Sequence, residues 1–123
     1  MKNKQKQSSK NKRSPCPIAC TLDIMGDKWT LLIIRDLLCG KKTYSNFQES
    51  PEKIPSNILA DRLKRLVANE IVEKKPYQMN PVRYKYVLTR KGKDLGAVLK
   101  AIVDWGEKHI PGSKALMIPV NNK

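Results

Sequence analysis

Apolar residues recur with a helical period through the first half of the chain, alternate briefly beyond Asn69, and return to a helical period near its end. Cys16-Pro17 opens the ordered part, because proline is favoured in the first helical position. Ile18, Leu22 and Met25 then predict a first helix running to Gly26. Asp27 is suited to cap the next one. There Trp29, Leu32, Ile33 and Leu37 form a stripe that Leu31, Ile34 and Leu38 widen. A helix apolar over most of its circumference belongs at the centre of a fold, and Gly40 ends it. Ser45-Asn46-Phe47-Gln48 reads as a capping box opening a short helix that stops near Pro51. After Ile54-Pro55, Ser56 can cap a further helix in which Leu59, Leu63 and Leu66 recur at i, i+4 and i+7 and share one face.

Past Asn69 the period shortens. Ile71 to Lys75 and Tyr84 to Leu88 predict two short strands, joined by a loop over Pro76 to Arg83 with a basic tip. Thr89 can cap a last helix carrying Leu95, Val98, Leu99, Ile102 and Gly106 on one stripe, up to Pro111-Gly112. That stripe has no obvious place in a small core, so packing against another subunit is expected; closing the same subunit's core is the competing reading. Two helices joined by a turn, the second amphipathic and basic, make a helix-turn-helix. A hairpin directly after it is a wing. The expected fold is therefore mainly α with a small β-hairpin, a winged helix-turn-helix over residues 15–112. A disordered basic tail (1–14) and a C-terminal tail (113–123) flank it.

Charge sharpens this picture. The 123 residues include 25 Lys and Arg against 11 Asp and Glu, a net +14. Lys2, Lys4, Lys6, Lys10, Lys12 and Arg13 precede any acidic residue, yet the remainder is still basic without them. Such an excess favours a polyanionic partner, nucleic acid before an anionic membrane surface. On the helix after Pro55 the face opposite the leucines carries Asn57, Asp61, Lys64 and Arg65, with Arg62 at its edge. Asn and Arg read adenine and guanine edges through paired hydrogen bonds. Asn80 and Arg83, at the basic hairpin tip, are candidates for a second contact with duplex DNA. An ordinary solvated helix face is the bland alternative. A small basic RNA-associated or nucleoid-type protein would account for the charge equally well, but stacking on single strands needs exposed aromatics. Phe47 and the tyrosines read as core or strand residues.

Other classes lose ground. Residues 1–14 contain no apolar run that could be a secretory signal, and Trp29 to Ile34 is far too short to span a bilayer. Three cysteines do not make a disulfide framework, which fits a cytoplasmic protein. Neither a nucleophile paired with a base, nor a phosphate loop, nor a metal cluster is evident, so no enzyme and no cofactor is expected.

Taken in order, Cys16-Pro17, Gly26-Asp27-Lys28-Trp29, Leu31 to Leu38, Tyr44-Ser45-Asn46-Phe47, Leu59 to Leu66, Arg83-Tyr84-Lys85-Tyr86, Leu88-Thr89-Arg90-Lys91-Gly92 and Asp104-Trp105 resemble the HxlR-type winged helix-turn-helix regulators, relatives of the MarR group. The resemblance covers about residues 15–110. It implies a homodimeric bacterial DNA-binding transcription factor whose first and last helices form the dimer interface. It places Ser56, Asn57, Arg62 and Arg65 on the recognition helix and Arg83 on the wing, near the minor groove or backbone. In some members the cysteine before the proline senses electrophiles or oxidants, and Cys16 stands there.

Independently, a thiolate at a helix N-terminus is stabilised by unpaired N–H groups and the macrodipole. Lys12 and Arg13 would add to that. Cys20, one turn later, is a candidate resolving thiol, whereas Cys39 reads as packing and His109 as a surface residue. Trp29 and Trp105 are expected to pack, with a small-molecule inducer pocket between dimer-forming helices as the sharper alternative.

Overall fold

The structure, a computed structural model, describes residues 13–117. Helix α1 spans Pro17–Met25, with Cys16 as its cap residue and proline in the first turn. Only Met25 of its expected stripe is buried; Ile18 is 71% exposed and Leu22 52%. Helix α2 (Thr30–Leu38) is the central element, with Ile33 and Ile34 fully buried and Gly40 at φ +98° just beyond its end. Asp27 caps its entry: Oδ2 accepts the N–H groups of Trp29 (3.0 Å) and Thr30 (3.1 Å), and Oδ1 accepts the Thr30 hydroxyl at 2.6 Å.

Helix α3 (Tyr44–Gln48) is where the sequence places it, but its cap is not. The capping box is formed by Thr43 with Asn46, not by Ser45 with Gln48. Tyr44 and Ser45 look equally suited to a first turn, and the extended backbone at Thr43 decides between them. Helix α4 (Ser56–Ala68) likewise starts one residue early: Pro55 stands at the cap position, and Ser56 is already helical and makes no capping bond. Between α3 and α4, Lys53 adopts φ +54°, in the left-handed region that L residues rarely enter.

The hairpin is longer than predicted. Strand β1 (Val72–Met79) and strand β2 (Val82–Leu88) pair antiparallel from Val72 opposite Leu88 to Met79 opposite Val82, with an irregularity between Pro76 and Gln78. Most of the stretch expected to be loop is thus paired. Pro76, which lacks an N–H to donate, is accommodated beside that bulge. The wing is tied to the body where the Tyr86 N–H donates to the Lys42 carbonyl at 2.8 Å.

Thr89 accepts the Gly92 N–H at 3.1 Å, as a cap should, but the helix it opens stops at once. Helix α5 is only Arg90–Lys93, and after Asp94 helix α6 runs over Leu95–His109. A Cβ on Gly92 would lie 2.2 Å from the Ile71 carbonyl oxygen, so the chain passes closer there than any other residue allows. The expected apolar stripe of α6 is split. Leu99 enters the core with Leu95 beside it, while Val98, Ile102 and Trp105 face outward at 40%, 49% and 62% exposure. The core's remaining members are Leu37, Phe47, Ile54, Leu59, Leu63, Leu66, Ile71, Val72 and Tyr86. Each such side chain contributes roughly 1.5–3 kcal/mol when fully buried.

Of the two tails, residues 1–12 and 118–123 lie outside the described ones. The inner ends are held: Arg13 pairs with Asp23 at 2.8 Å, and the Ser113 hydroxyl donates to the Gly106 carbonyl at 2.8 Å.

Candidate nucleic-acid interface

Helix α4 divides as its leucine spacing requires. Leu59, Leu63 and Leu66 are buried, and Ser56, Asn57, Asp61, Lys64 and Arg65 are exposed on the other side. Arg62 stands apart, with its side chain only 17% exposed. Its Nε donates to Asp27 Oδ2 at 2.9 Å, and its Nη1 pairs with Asp61. Arg65 lies 4.0 Å from the same Asp61 carboxylate and remains open to solvent. Asn80 and Arg83 are exposed at the end of the hairpin, Arg83 opposite Gln78 in register. The tip itself is more apolar than the sequence suggests, because Met79 is 66% and Val82 44% exposed. Lys74 lies over the Tyr84 ring, 4.4 Å from its centroid.

A buried polar cluster, not foreseen from the sequence, holds the turn that precedes α4. Arg35 of α2 donates to both oxygens of Glu52 at 2.8 Å, to Ser50 Oγ at 3.0 Å and to Asp36 at 3.1 Å. Ser50 in turn donates to Asp36 at 2.9 Å. The hydrogen bonds it donates to Glu52, outweighing the cost of burial, push the guanidinium further up. The partner carboxylate, Glu52, is held below the usual carboxylate range, chiefly by Arg35. At Asp27 burial opposes ionisation, but hydrogen bonds from Thr30 and Arg62 together with the Trp29 N–H overcome it and hold the carboxyl well below that range. The available signal was an Arg-Asp pair inside an otherwise apolar helix, since buried charges must find partners.

Around Cys16 the geometry is that of a helix start. The N–H groups of Ala19 and Ile18 lower the thiol's pKa, and the side chain is exposed. Arg13, expected to assist, is committed to Asp23, and Lys12 lies outside the described residues. Cys20 Sγ donates to the Ser14 carbonyl at 3.3 Å. At Cys39 burial and the Asp36 charge push the thiol up. Trp29 is half-buried, with Lys28 at 5.0 Å from its ring. Trp105 does not pack inward: its ring meets that of His109 at a tilt, 4.9 Å between centroids, and with Ala97, Val98, Ala101 and Ile102 it lines an open apolar recess on the outer side of α6. Among the described residues no group of three metal-ligating side chains converges, and no helix is long and apolar enough to cross a membrane.

A family model described as HxlR-like helix-turn-helix matches residues 24–114. An uncharacterized HTH-type transcriptional regulator of Bacillus subtilis, YdeP, is 34% identical over 94 residues, 76% of this chain and 73% of its own length. Curated mycobacterial relatives are matched over 56% of their length, so the chain spans little more than half of those proteins. The reduced form of the Bacillus subtilis transcriptional regulator YodB superposes with a TM-score of 0.67 at 33% identity, covering 82% of this chain and 100% of that one. The redox regulator HypR in its reduced form superposes with a TM-score of 0.71 at 29% identity, covering 78% and 95%.

Proposed function

The chain belongs to the HxlR-like helix-turn-helix family of transcriptional regulators, and we propose that it acts as a homodimer binding an inverted-repeat operator in duplex DNA. The observation that carries this is α4: a helix whose inner face is three buried leucines and whose outer face presents Asn57, Lys64 and Arg65 to solvent. Asn57 and Arg65 supply base readout, Lys64 a phosphate contact, and Asn80 and Arg83 of the wing reach the adjacent groove or backbone. Ser56 and Asp61 border the same surface.

A second copy is the natural cover for the outward residues of α1 and α6, Ile18, Leu22, Val98, Ile102 and Trp105, which leave large apolar side chains exposed. Two-fold pairing would set the recognition helices about 34 Å apart, one turn of DNA. Such a regulator works in the cytoplasm, where the DNA is. Cys16, exposed and with its pKa lowered by the Ala19 and Ile18 N–H groups, is the proposed point at which an electrophile or oxidant acts, with Cys20 as its neighbour thiol.

Selection of genomic fragments by the purified protein, followed by titration of the retained duplex against random DNA, tests the reading. Arg65→Ala should cost about 1–3 kcal/mol on the operator and little on random duplex. Lys64→Ala should weaken both and lower the salt slope by about 1. Equal losses on both duplexes for Arg65→Ala would remove it as a base reader. A species of 14.0 kDa alone in sedimentation at micromolar concentration, with or without DNA, would remove the dimer. The exposure of Tyr77 and Tyr84, 50% and 42%, favours the non-specific single-strand reading. Preference for single strands over every duplex would favour it.

A further inference from the structure

Arg62 lies on the recognition helix, where a guanidinium invites a role in reading DNA, yet its own hydrogen bonds lead elsewhere. We propose that Arg62 is a positioning residue, a strut from the middle of α4 to Asp27, and that it fixes the angle at which Asn57 and Arg65 meet the groove. The proposal rests on the reading of α4 as the recognition helix.

Asp27 is a rigid anchor. It stands between α1, which ends at Met25, and α2, which begins at Thr30. Three donors on one short segment, the N–H groups of Trp29 and Thr30 and the Thr30 hydroxyl, hold its carboxylate at 3.0, 3.1 and 2.6 Å. The junction before it has no slack, since a Cβ on Gly26 would lie 2.4 Å from the Leu22 carbonyl oxygen. Onto this fixed carboxylate Arg62 places its Nε at 2.9 Å, across 35 residues of sequence.

The other arm of Arg62 is turned to Asp61. Two carboxylates thus flank one guanidinium, which leaves little net positive charge for a phosphate. A base edge needs a free two-pronged face, and here Nε and Nη1 are both taken. Side-chain exposures of 17% for Arg62 and 22% for Asp27 place the pair in a partly desolvated crease, where attraction is less screened than at the open surface. The Arg35–Glu52 grip holds the turn before α4, and this second tie holds the helix near its middle. Two separated attachments define a direction, which one cannot.

Asp27→Asn, Arg62→Met and the double variant of the full chain separate positioning from contact. Asparagine can still accept the capping N–H bonds, so α2 keeps its entry. Titration on the selected operator and on random duplex, at several salt concentrations, should show each single variant losing about tenfold of its preference for the operator, in the range of coupling within one salt-bridge network. The double variant should lose no more than Arg62→Met. Affinity for random duplex and the salt slope should stay those of the parent. A slope lower by about 1 for Arg62→Met would make Arg62 a phosphate contact and overturn the proposal. So would tighter binding by Asp27→Asn, the mark of a freed guanidinium reaching DNA. Melting curves run alongside decide whether a loss is global: a fall in operator affinity matched by equal loss of random-duplex binding and of the folded fraction also overturns it. Should the parent itself prefer no duplex, the reading of α4 falls. Should it prefer one that the variants read as well, only the strut falls.

Discussion

Arg35→Met should be among the most damaging single changes in the protein, although the new side chain is apolar and retraces the arginine's stem. Arg35 is 9% exposed in its side chain and Asp36 5%, so both charges are effectively inside the protein. With Arg35 removed, Asp36 keeps the Ser50 hydroxyl at 2.9 Å and a distant Lys41 at 3.8 Å. Stripping one partner from a buried pair costs about 3–5 kcal/mol, because the other charge stays buried without compensation. Against a total stability of about 5–15 kcal/mol that is a large share. Melting should fall by more than about 10 °C. Glu52→Gln is milder: Glu52 is 30% exposed and Arg35 retains Asp36, so a loss of about 1 kcal/mol is expected. The pH dependence has a definite sign. The folded-state pKa of Glu52 is depressed by Arg35, so its contribution is complete above its ordinary value of 4.5 and is lost as pH falls through the folded value. Urea titrations followed by tryptophan fluorescence, at neutral pH and across the acid range, measure all of this. A cost below about 1 kcal/mol for Arg35→Met, or an acid profile of Glu52→Gln parallel to that of the parent, would refute the reasoning.

Phe47→Ala empties a site with no exposure, in edge contact with Tyr86 at 6.4 Å between centroids; urea unfolding should show a loss of about 3–5 kcal/mol. Gly92→Ala drives a methyl to 2.2 Å from a backbone oxygen, which cannot rotate away. Its cost, read from thermal unfolding, should be at least about 1–3 kcal/mol. In alkylation followed by mass spectrometry near neutral pH, Cys16 should react ahead of Cys39, the first exposed with a lowered pKa and the second partly buried with a raised one. Equal rates would mean that the helix N-terminus does not activate Cys16.

The sequence revealed most where a pattern was local. Leu59, Leu63 and Leu66 defined α4 because a helix brings i, i+4 and i+7 together whatever surrounds it, and all three are buried. The start of α1 at Cys16-Pro17 and the end of α2 at Gly40 also depend only on neighbouring residues. What escaped depends on partners distant in the chain. Arg35 looked like the end of an apolar run, and nothing nearby announces that Ser50 and Glu52 fold back onto it. The hydrogen bond from Arg62 to Asp27 was equally hidden, since its acceptor is 35 positions earlier. The wing was underestimated because two prolines suggest a loop, whereas a bulge at Pro76 lets the ladder continue. The stripe of α6 reads as one surface, but Leu99 enters the core while Val98, Ile102 and Trp105 stay exposed.

The left-handed backbone at Lys53 has a consequence for how this protein can change. A non-glycine residue held there costs on the order of 1 kcal/mol. Asparagine and glycine bear that conformation more easily, whereas valine or isoleucine would not. In the genetic code a lysine codon becomes an asparagine codon by one third-base change. The strain is therefore a single nucleotide from relief, in the turn that precedes α4. A search for sturdier variants would reach this position early, and a drift toward β-branched residues would be closed to it from the outset.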